Sequence, residues 1–469
     1  MLLTVPASSM DHSSRKWLIH GLFQAGFLCL LHTQAFSQPL AKENPLQPPP
    51  PPAASNDRAF DLPQLDDRAI AASGLRKISG QHISIYTDLP PAEEIEQLPR
   101  AFDAAVPLWC EYFSFPRERV TNWKLVACLM KAKERFTGVG LYPSKLPEFA
   151  NGYNIGSQIW VYEQPSAYYR RHLLLHEGTH AFMLRWLGGA GPPWYMEGMA
   201  ELLATHRWQN GQLTLPIMPA NREQVLYWGR IKMIKDDEAA GKGRSLLDVM
   251  KYDARAHLQV EAYAWCWAAA WFFDHHPETH DAFRALQQAA SDRSPGFSRR
   301  FYERLKSDWP AIATDWQLFA KECDYGYDVP RAAVIRKPMV DLPAEGAVVT
   351  LATDHGWQST GYRLAADKKY EIKARGRYTI AAKPQTVPCE AGGITLHYHR
   401  SLPLGILLAA VENDGPGNEA TSLLKPQMIG LANQINSPTG GGLFLKINEA
   451  PSGLADNSGS LQISIRELK

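Results

Sequence analysis

The chain has 469 residues, enough for two or three domains with sizeable cores. Its 49 Lys and Arg residues almost cancel 48 Asp and Glu residues, which argues against a nucleic-acid binder held by phosphate contacts. Its six cysteines are scattered, so neither a disulfide framework nor a Cys-x-x-Cys structural zinc site is indicated.

Residues 1–37 read as an export signal. Arg15 and Lys16 precede an apolar run from Trp17 to Leu31, and Ala35-Phe36-Ser37 forms a small-x-small cleavage pattern before Gln38. His20 and Gln24 interrupt the run, which leaves it short of the ~20 residues that a spanning helix needs. The expectation is a secreted or periplasmic protein with no stable membrane span, an uncleaved anchor being the alternative. Loss of the signal removes Cys29, and the remaining five cysteines have room for one or two disulfides in an oxidising compartment.

Residues 38–75 read as a Pro-rich linker. The five prolines Pro48–Pro52 favour an extended polyproline spacer, and Asn56 to Ser73 is expected to be loosely ordered. Strand alternation follows at His82–Tyr86, Lys124–Met130 and Gln158–Tyr162, with an amphipathic helix from Pro91 to Phe113. Helices are then expected at Tyr169–Leu187, Trp194–Arg207, Arg222–Lys235, Ser245–Lys251, Glu261–His275 and Thr279–Ala289. Strands followed mainly by helices give an α+β body over residues 76–335. From about Pro338 short alternating runs separated by Gly, Pro, Asn and Asp predict an all-β sandwich over residues 338–469.

The chemistry concentrates in His176-Glu177-Gly178-Thr179-His180 and Glu197-Gly198-Met199-Ala200-Glu201. Residues four apart share a helix face, so His176 and His180 can point two imidazoles at one ion. With Glu197 as third ligand and one position open, these residues describe a hydrolytic Zn²⁺ site. The alternative is a pair of buried histidines bound to carboxylates for structure alone. His206, His275 and His276 read as core or surface residues, not ligands.

These motifs, with Pro193-Trp194-Tyr195 between them, resemble the peptidase MA-like gluzincin metallopeptidases over about Gly80 to Phe319. That resemblance implies a zincin-type fold in which His176, His180 and Glu197 hold Zn²⁺ and Glu177 is the general base. Glu201 would lie behind the ligands and orient an imidazole, a swap of roles between Glu197 and Glu201 being the other assignment. Tyr263, within Glu261-Ala262-Tyr263-Ala264-Trp265, would be the oxyanion donor, or else an aromatic packed among neighbouring tryptophans. Gln158–Tyr162 would be the edge strand that pairs with extended substrate. Met196 stands where aminopeptidase-N-like enzymes carry Asn, so aminopeptidase specificity is not implied.

The C-terminal run Ile447-Asn448-Glu449-Ala450-Pro451-Ser452-Gly453-Leu454-Ala455-Asp456-Asn457 gathers carboxylate and amide oxygens in a loop, as a hard Ca²⁺ ion requires. It resembles the calcium loop of bacterial galactophilic lectins. The resemblance implies Ca²⁺ on Glu449, Gly453, Asp456 and Asn457, with a further carbonyl from Ile380 and sugar contacts near Gln385 to Gly393. Glu449 replaces the usual Asp. The alternative is a sandwich that packs on the first body, with Asp456-Asn457 forming only a turn.

The expected protein is therefore an exported zinc metallopeptidase acting on peptide or glycoprotein, with a glycan-binding domain and no nucleic-acid partner. The rival readings are a secreted carbohydrate-binding protein with a structural zinc site, and a zinc amidase acting on cell-wall amides.

Overall fold

The computed structural model describes residues 60–253, 255, 259–381, 385–413 and 420–468. The stretch read as an export signal and the proline run lie outside the described residues. No helix among the described residues is long and apolar enough to cross a membrane.

Order begins earlier than the composition suggested. Helix α1 (Asp67–Ala72) forms inside the stretch read as loosely ordered. Asp66 caps it by accepting from the Arg68 and Ala69 amides, and Ile70 is buried in a small cluster with Tyr86, Val126 and Trp160. Strands β1 (Arg76–Ser79) and β2 (Ile83–Thr87), helices α2 (Glu93–Glu96) and α3 (Leu98–Tyr112), strand β3 (Leu125–Met130), helix α4 (Lys133–Gly138), and strands β4 (Gly152–Ile155) and β5 (Gln158–Tyr162) follow. The sheet order is β1-β2-β3-β5-β4, with β2, β3 and β5 parallel and the two outer strands antiparallel.

This order corrects one expectation. Gln158–Tyr162 is interior, and the edge belongs to β4. The chain turns at Gly156, whose φ of 56° is left-handed, and Gly152–Ile155 folds back as a hairpin onto β5. The four-residue run Gly-Tyr-Asn-Ile is too short for alternation to reveal it.

Helix α5 (Ala167–Trp186) lies against this sheet and α3, with the Ser166 hydroxyl capping its start by accepting from the Tyr169 amide. Gly188 and Gly191, both left-handed, then lead into helix α6 (Pro193–Ala204), whose first residue is a proline. After the hairpin β6 (Arg207–Gln209) and β7 (Gln212–Thr214) come α7 (Arg230–Ala239), α8 (Leu246–Val249), α9 (Val260–His275), α10 (His280–Arg284), α11 (Pro295–Leu305), α12 (Trp309–Glu322) and α13 (Val329–Ala332). The single helix expected over Arg222–Lys235 is broken. A 3-10 turn covers Arg222–Val225, and Tyr227 and Gly229 both adopt φ near 69° before α7 begins. Helices α6 and α9 cross closely at Gly198, where a Cβ would lie 2.9 Å from the Cys266 carbonyl oxygen.

The second region is a sandwich. Its strands are β8 (Val340–Asp341), β9 (Ala347–Ala352), β10 (Gln358–Leu364), β11 (Lys368–Arg375), β12 (Arg377–Ala381), β13 (Val387–Glu390), β14 (Ile394–His399), β15 (Leu402–Leu404), β16 (Leu407–Glu412), β17 (Gln427–Met428), β18 (Ala432–Ser437), β19 (Gly441–Ile447) and β20 (Ser458–Leu468). One sheet runs β17-β16-β19-β10-β8 and the other β13-β12-β20-β11-β18, with β9 also pairing with β20. In β16 and β19, Leu407, Ala409, Leu443 and Leu445 face the opposite sheet. Their alternate residues Leu408, Ala410 and Phe444 pack on Leu318 of α12 and on Val334. Strands β16 and β19 are thus buried on both faces, where alternation predicted one buried face. Cys110, Cys128, Cys266, Cys323 and Cys389 are buried and unpaired, so the expected disulfides do not form among the described residues.

The placement of α5 depends on Gly178. A Cβ there would lie 2.5 Å from the Phe102 ring and 2.8 Å from the Trp109 ring, both on α3. Gly→Ala normally favours a helix by ~1 kcal/mol, but overpacking a tight core costs about 1–3 kcal/mol. Gly178→Ala is therefore expected to lower the urea midpoint with an unchanged slope; a higher midpoint would contradict this packing.

Candidate metal centre

Three histidines one turn apart, His172, His176 and His180, lie along one face of α5, and Glu197 and Glu201 lie one turn apart on α6 opposite. Both helices are buried here because α9 and the sheet enclose them. The Nε2 atoms of His176 and His180 are 3.1 Å apart. Glu197 Oε2 lies 3.2 Å from the first and 3.5 Å from the second. It is buried and has no hydrogen-bond partner. Tetrahedral bonds of ~2.0–2.2 Å place neighbouring ligand atoms roughly 3.3 Å apart. These three buried donors can therefore hold a metal ion.

Glu201 does something different. It is 1 % exposed, and its two oxygens accept from Arg230 Nε at 3.0 Å and Nη2 at 2.8 Å. Oε1 also lies 3.4 Å from His176 Nδ1, and Oε2 lies 3.3 Å from His172 Nε2. His172, His176 and Glu201 form a second group with metal-ligand spacing, but the guanidinium already supplies its cation. Glu201 thus faces the far side of the His176 ring, and Glu197 faces the nitrogens that converge.

The three carboxylates differ in their electrostatics. Burial raises the Glu177 carboxyl above its usual range, with His176 and His180 opposing the shift. Burial would also raise Glu197, but His180 and His176 outweigh it and hold the carboxyl at about 2. For Glu201 the charge of Arg230 and contact with His172 overcome burial, and its pKa falls well below the carboxylate norm. His176 rises well above the normal imidazole value, because its contacts with Glu197 and Glu201 outweigh its burial.

Glu177 points toward the edge strand. A Cβ on Gly152 of β4 would lie 2.5 Å from Glu177 Oε1, so any larger residue there would displace the Glu177 carboxyl. Tyr263 on α9 completes the group. Its ring centroid is 6.0 Å from that of His176. Burial raises its hydroxyl pKa, and Glu197, Glu177 and Glu201 add to the rise.

All six expected residues of this centre are brought together: His176, Glu177, His180, Glu197, Glu201 and Tyr263. Three were not anticipated. His172 was legible, since it precedes His176 by one turn. Gly152 and Arg230 carry no local signal. The other histidines are engaged elsewhere: His206 faces the Ala204 carbonyl and Arg171, His275 stacks on Trp271, and His276 bonds Asp315 at 2.9 Å.

In the sandwich the expected calcium residues lie in one loop between β19 and β20. The Asn457 amide donates to Glu449 Oε2 at 2.6 Å and to the Thr353 carbonyl at 3.0 Å. Gly453 passes against the Glu449 carboxyl, while Asp456 is exposed. Ile380 is buried in the sandwich core. Glu449 lines a cleft shared with Glu322 and Tyr327 of the first body and with Trp357, Lys446 and Leu454. The loop therefore sits against the first body. Among the described residues it forms no cluster of three acidic or imidazole ligands.

No family model and no curated protein matches the chain. Among solved structures, the chain is similar to the N-terminal, PllA-like lectin domain of EclA at 17% identity and a TM-score of 0.20. That match covers 26% of this chain and 95% of the other. It is also similar to IMPa from Pseudomonas aeruginosa in complex with an O-glycopeptide, at 13% identity and a TM-score of 0.16, covering 54% of this chain and 25% of that one. The IMPa metallopeptidase in complex with T-antigen matches at 11% identity and a TM-score of 0.17, over 84% and 47% respectively. In these two matches the chain spans between a quarter and just under half of the IMPa chain.

Burial raises the Glu449 carboxyl to about 7, with the Asn457 bond opposing and Asp456 adding to the rise. An acid raised on folding favours the native state fully below its unfolded value, ~4.3. That contribution is lost as pH rises through about 7. Thermal melts should therefore show Glu449→Gln matching the parent near pH 4 and exceeding it at pH 8. A parent protein that gains on Glu449→Gln between those values would contradict the burial account. Added Ca²⁺ that stabilises only the parent at pH 8 would support the calcium assignment.

Proposed function

We propose that the chain is an exported zinc-dependent hydrolase that cleaves peptide bonds. The observation that carries this reading is the convergence of His176 Nε2, His180 Nε2 and Glu197 Oε2 within 3.1–3.5 Å of one another, beside the buried carboxyl of Glu177. Two imidazoles and one carboxylate suit Zn²⁺ with an open position. A zinc ion held there supplies Lewis acidity and lowers the pKa of bound water toward neutrality.

The chain's own residues do the rest. Glu177 takes the proton of the attacking water and returns it to the leaving amine, a role favoured by a carboxyl pKa raised through burial. Tyr263 donates a hydrogen bond to the oxygen on which charge develops. Glu201 holds the His176 ring from behind. The outer edge of β4 has no neighbouring strand among the described residues, so its backbone groups can pair with an extended peptide next to Glu177. The sandwich would hold glycosylated substrate, with Ca²⁺ on Glu449, Gly453, Asp456 and Asn457. A glycan array probed with the whole protein, with and without chelator, tests that part.

Metal analysis and digestion of a peptide library test the reaction. Glu177→Gln should keep one zinc per chain and lose about 10²–10⁴-fold in rate. His180→Ala should lose both metal and activity. Undiminished cleavage by Glu177→Gln would exclude this mechanism.

A further inference from the structure

Arg230 breaks the local rules of its own segment. It is the first residue of α7, where the positive end of a helix disfavours a cation. The chain reaches it through Tyr227 and Gly229, both left-handed near 69°, and a tyrosine rarely adopts that conformation. Yet the side chain is turned inward to 4 % exposure. Local preferences violated together point to a gain elsewhere in the fold.

The gain lies at the metal centre. Two guanidinium N–H groups grip the Glu201 carboxylate in the planar, bidentate geometry that lysine cannot reproduce. A third nitrogen, Nη1, donates to the Trp228 carbonyl at 3.3 Å and ties the group to its own loop. Glu201 is thereby fixed with Oε1 toward His176 Nδ1. The same guanidinium carbon lies 5.7 Å from the centroid of the Tyr263 ring, over its face. One side chain therefore touches both the carboxylate behind a ligand histidine and the aromatic ring beside it.

We propose that Arg230 is a positioning residue that sets the metal affinity of the His176–His180–Glu197 group through Glu201 and holds the ring of Tyr263. The proposal rests on the reading of that group as a metal centre. Without the guanidinium, Glu201 would be a buried, uncompensated charge, free to turn toward the ion or away from His176. Arg230 would not touch the substrate.

The test is metal binding by the whole protein. Zn²⁺ affinity is read by competition with a chromophoric chelator, and the ligand field by the visible spectrum of the Co²⁺-loaded protein. Arg230→Gln should weaken Zn²⁺ by 10–100-fold and shift the Co²⁺ bands, and Arg230→Lys should recover only part of the affinity. A folded Arg230→Gln protein with parental Zn²⁺ affinity and Co²⁺ spectrum would overturn the proposal. Should Arg230→Gln not fold, the pair Arg230→Gln with Glu201→Gln removes both buried charges together. Weakened Zn²⁺ binding in that protein supports the proposal, and parental affinity overturns it. Failure of the unaltered protein to bind Zn²⁺ or Co²⁺ would instead remove the metal-centre reading, and the proposal with it.

Discussion

Three glutamates buried within one helical core set the terms for the rest of the first body. A carboxylate taken out of water is costly unless a cation or a set of donors faces it. Each of the three is compensated differently. Glu201 is met by Arg230 across the α6–α7 junction, Glu197 by two imidazoles of α5, and Glu177 only by the weaker pull of His176 and His180. Those surroundings drive the acidities apart, down for Glu197 and Glu201 and up for Glu177. Chemically identical side chains are left in different electrostatic states by what lies opposite them. The packing of α5, α6 and α9 places each one.

Much of this was legible because helices repeat in sequence. The i, i+4 spacing of His176 with His180 and of Glu197 with Glu201 is an intrinsic property of α-helices, so α5 and α6 announce their inward faces. The sandwich strands were equally readable from alternation bounded by turn residues. Helices α11 and α12 were missed although their signals were present: Ser294 caps α11, and Pro295 occupies its first turn. Strand β4 was hidden for a different reason, being four residues long with a glycine where it passes Glu177. Arg230 was beyond reach from sequence. Its partner lies 29 residues away, and the two meet only because a left-handed break interrupts an apparent helix.

The junction between the two regions has a similar logic. Asp315 of α12 accepts from His276, from the Val334 amide and from Arg336. The connecting segment is therefore tied down before it enters the sandwich. Glu322, at the end of the same helix, meets Arg400 at 2.9 Å. The polar contacts flank an apolar centre formed by Leu318, Val334, Trp357 and Phe444.

A pair of strands covered on both faces also fixes a direction in space. A domain on a flexible tether searches a volume, and its effective concentration at a second site depends on the length and stiffness of the tether. Here β16 and β19 share their outer face with α12, so the ordering is completed when the chain folds. A ligand able to touch the sandwich and the His176–His180–Glu197 group together would meet two arms with a constant bite. Its spacing would be selected by geometry, much as a rigid chelator selects ions by size, and a ligand of the wrong span would gain nothing from the second arm.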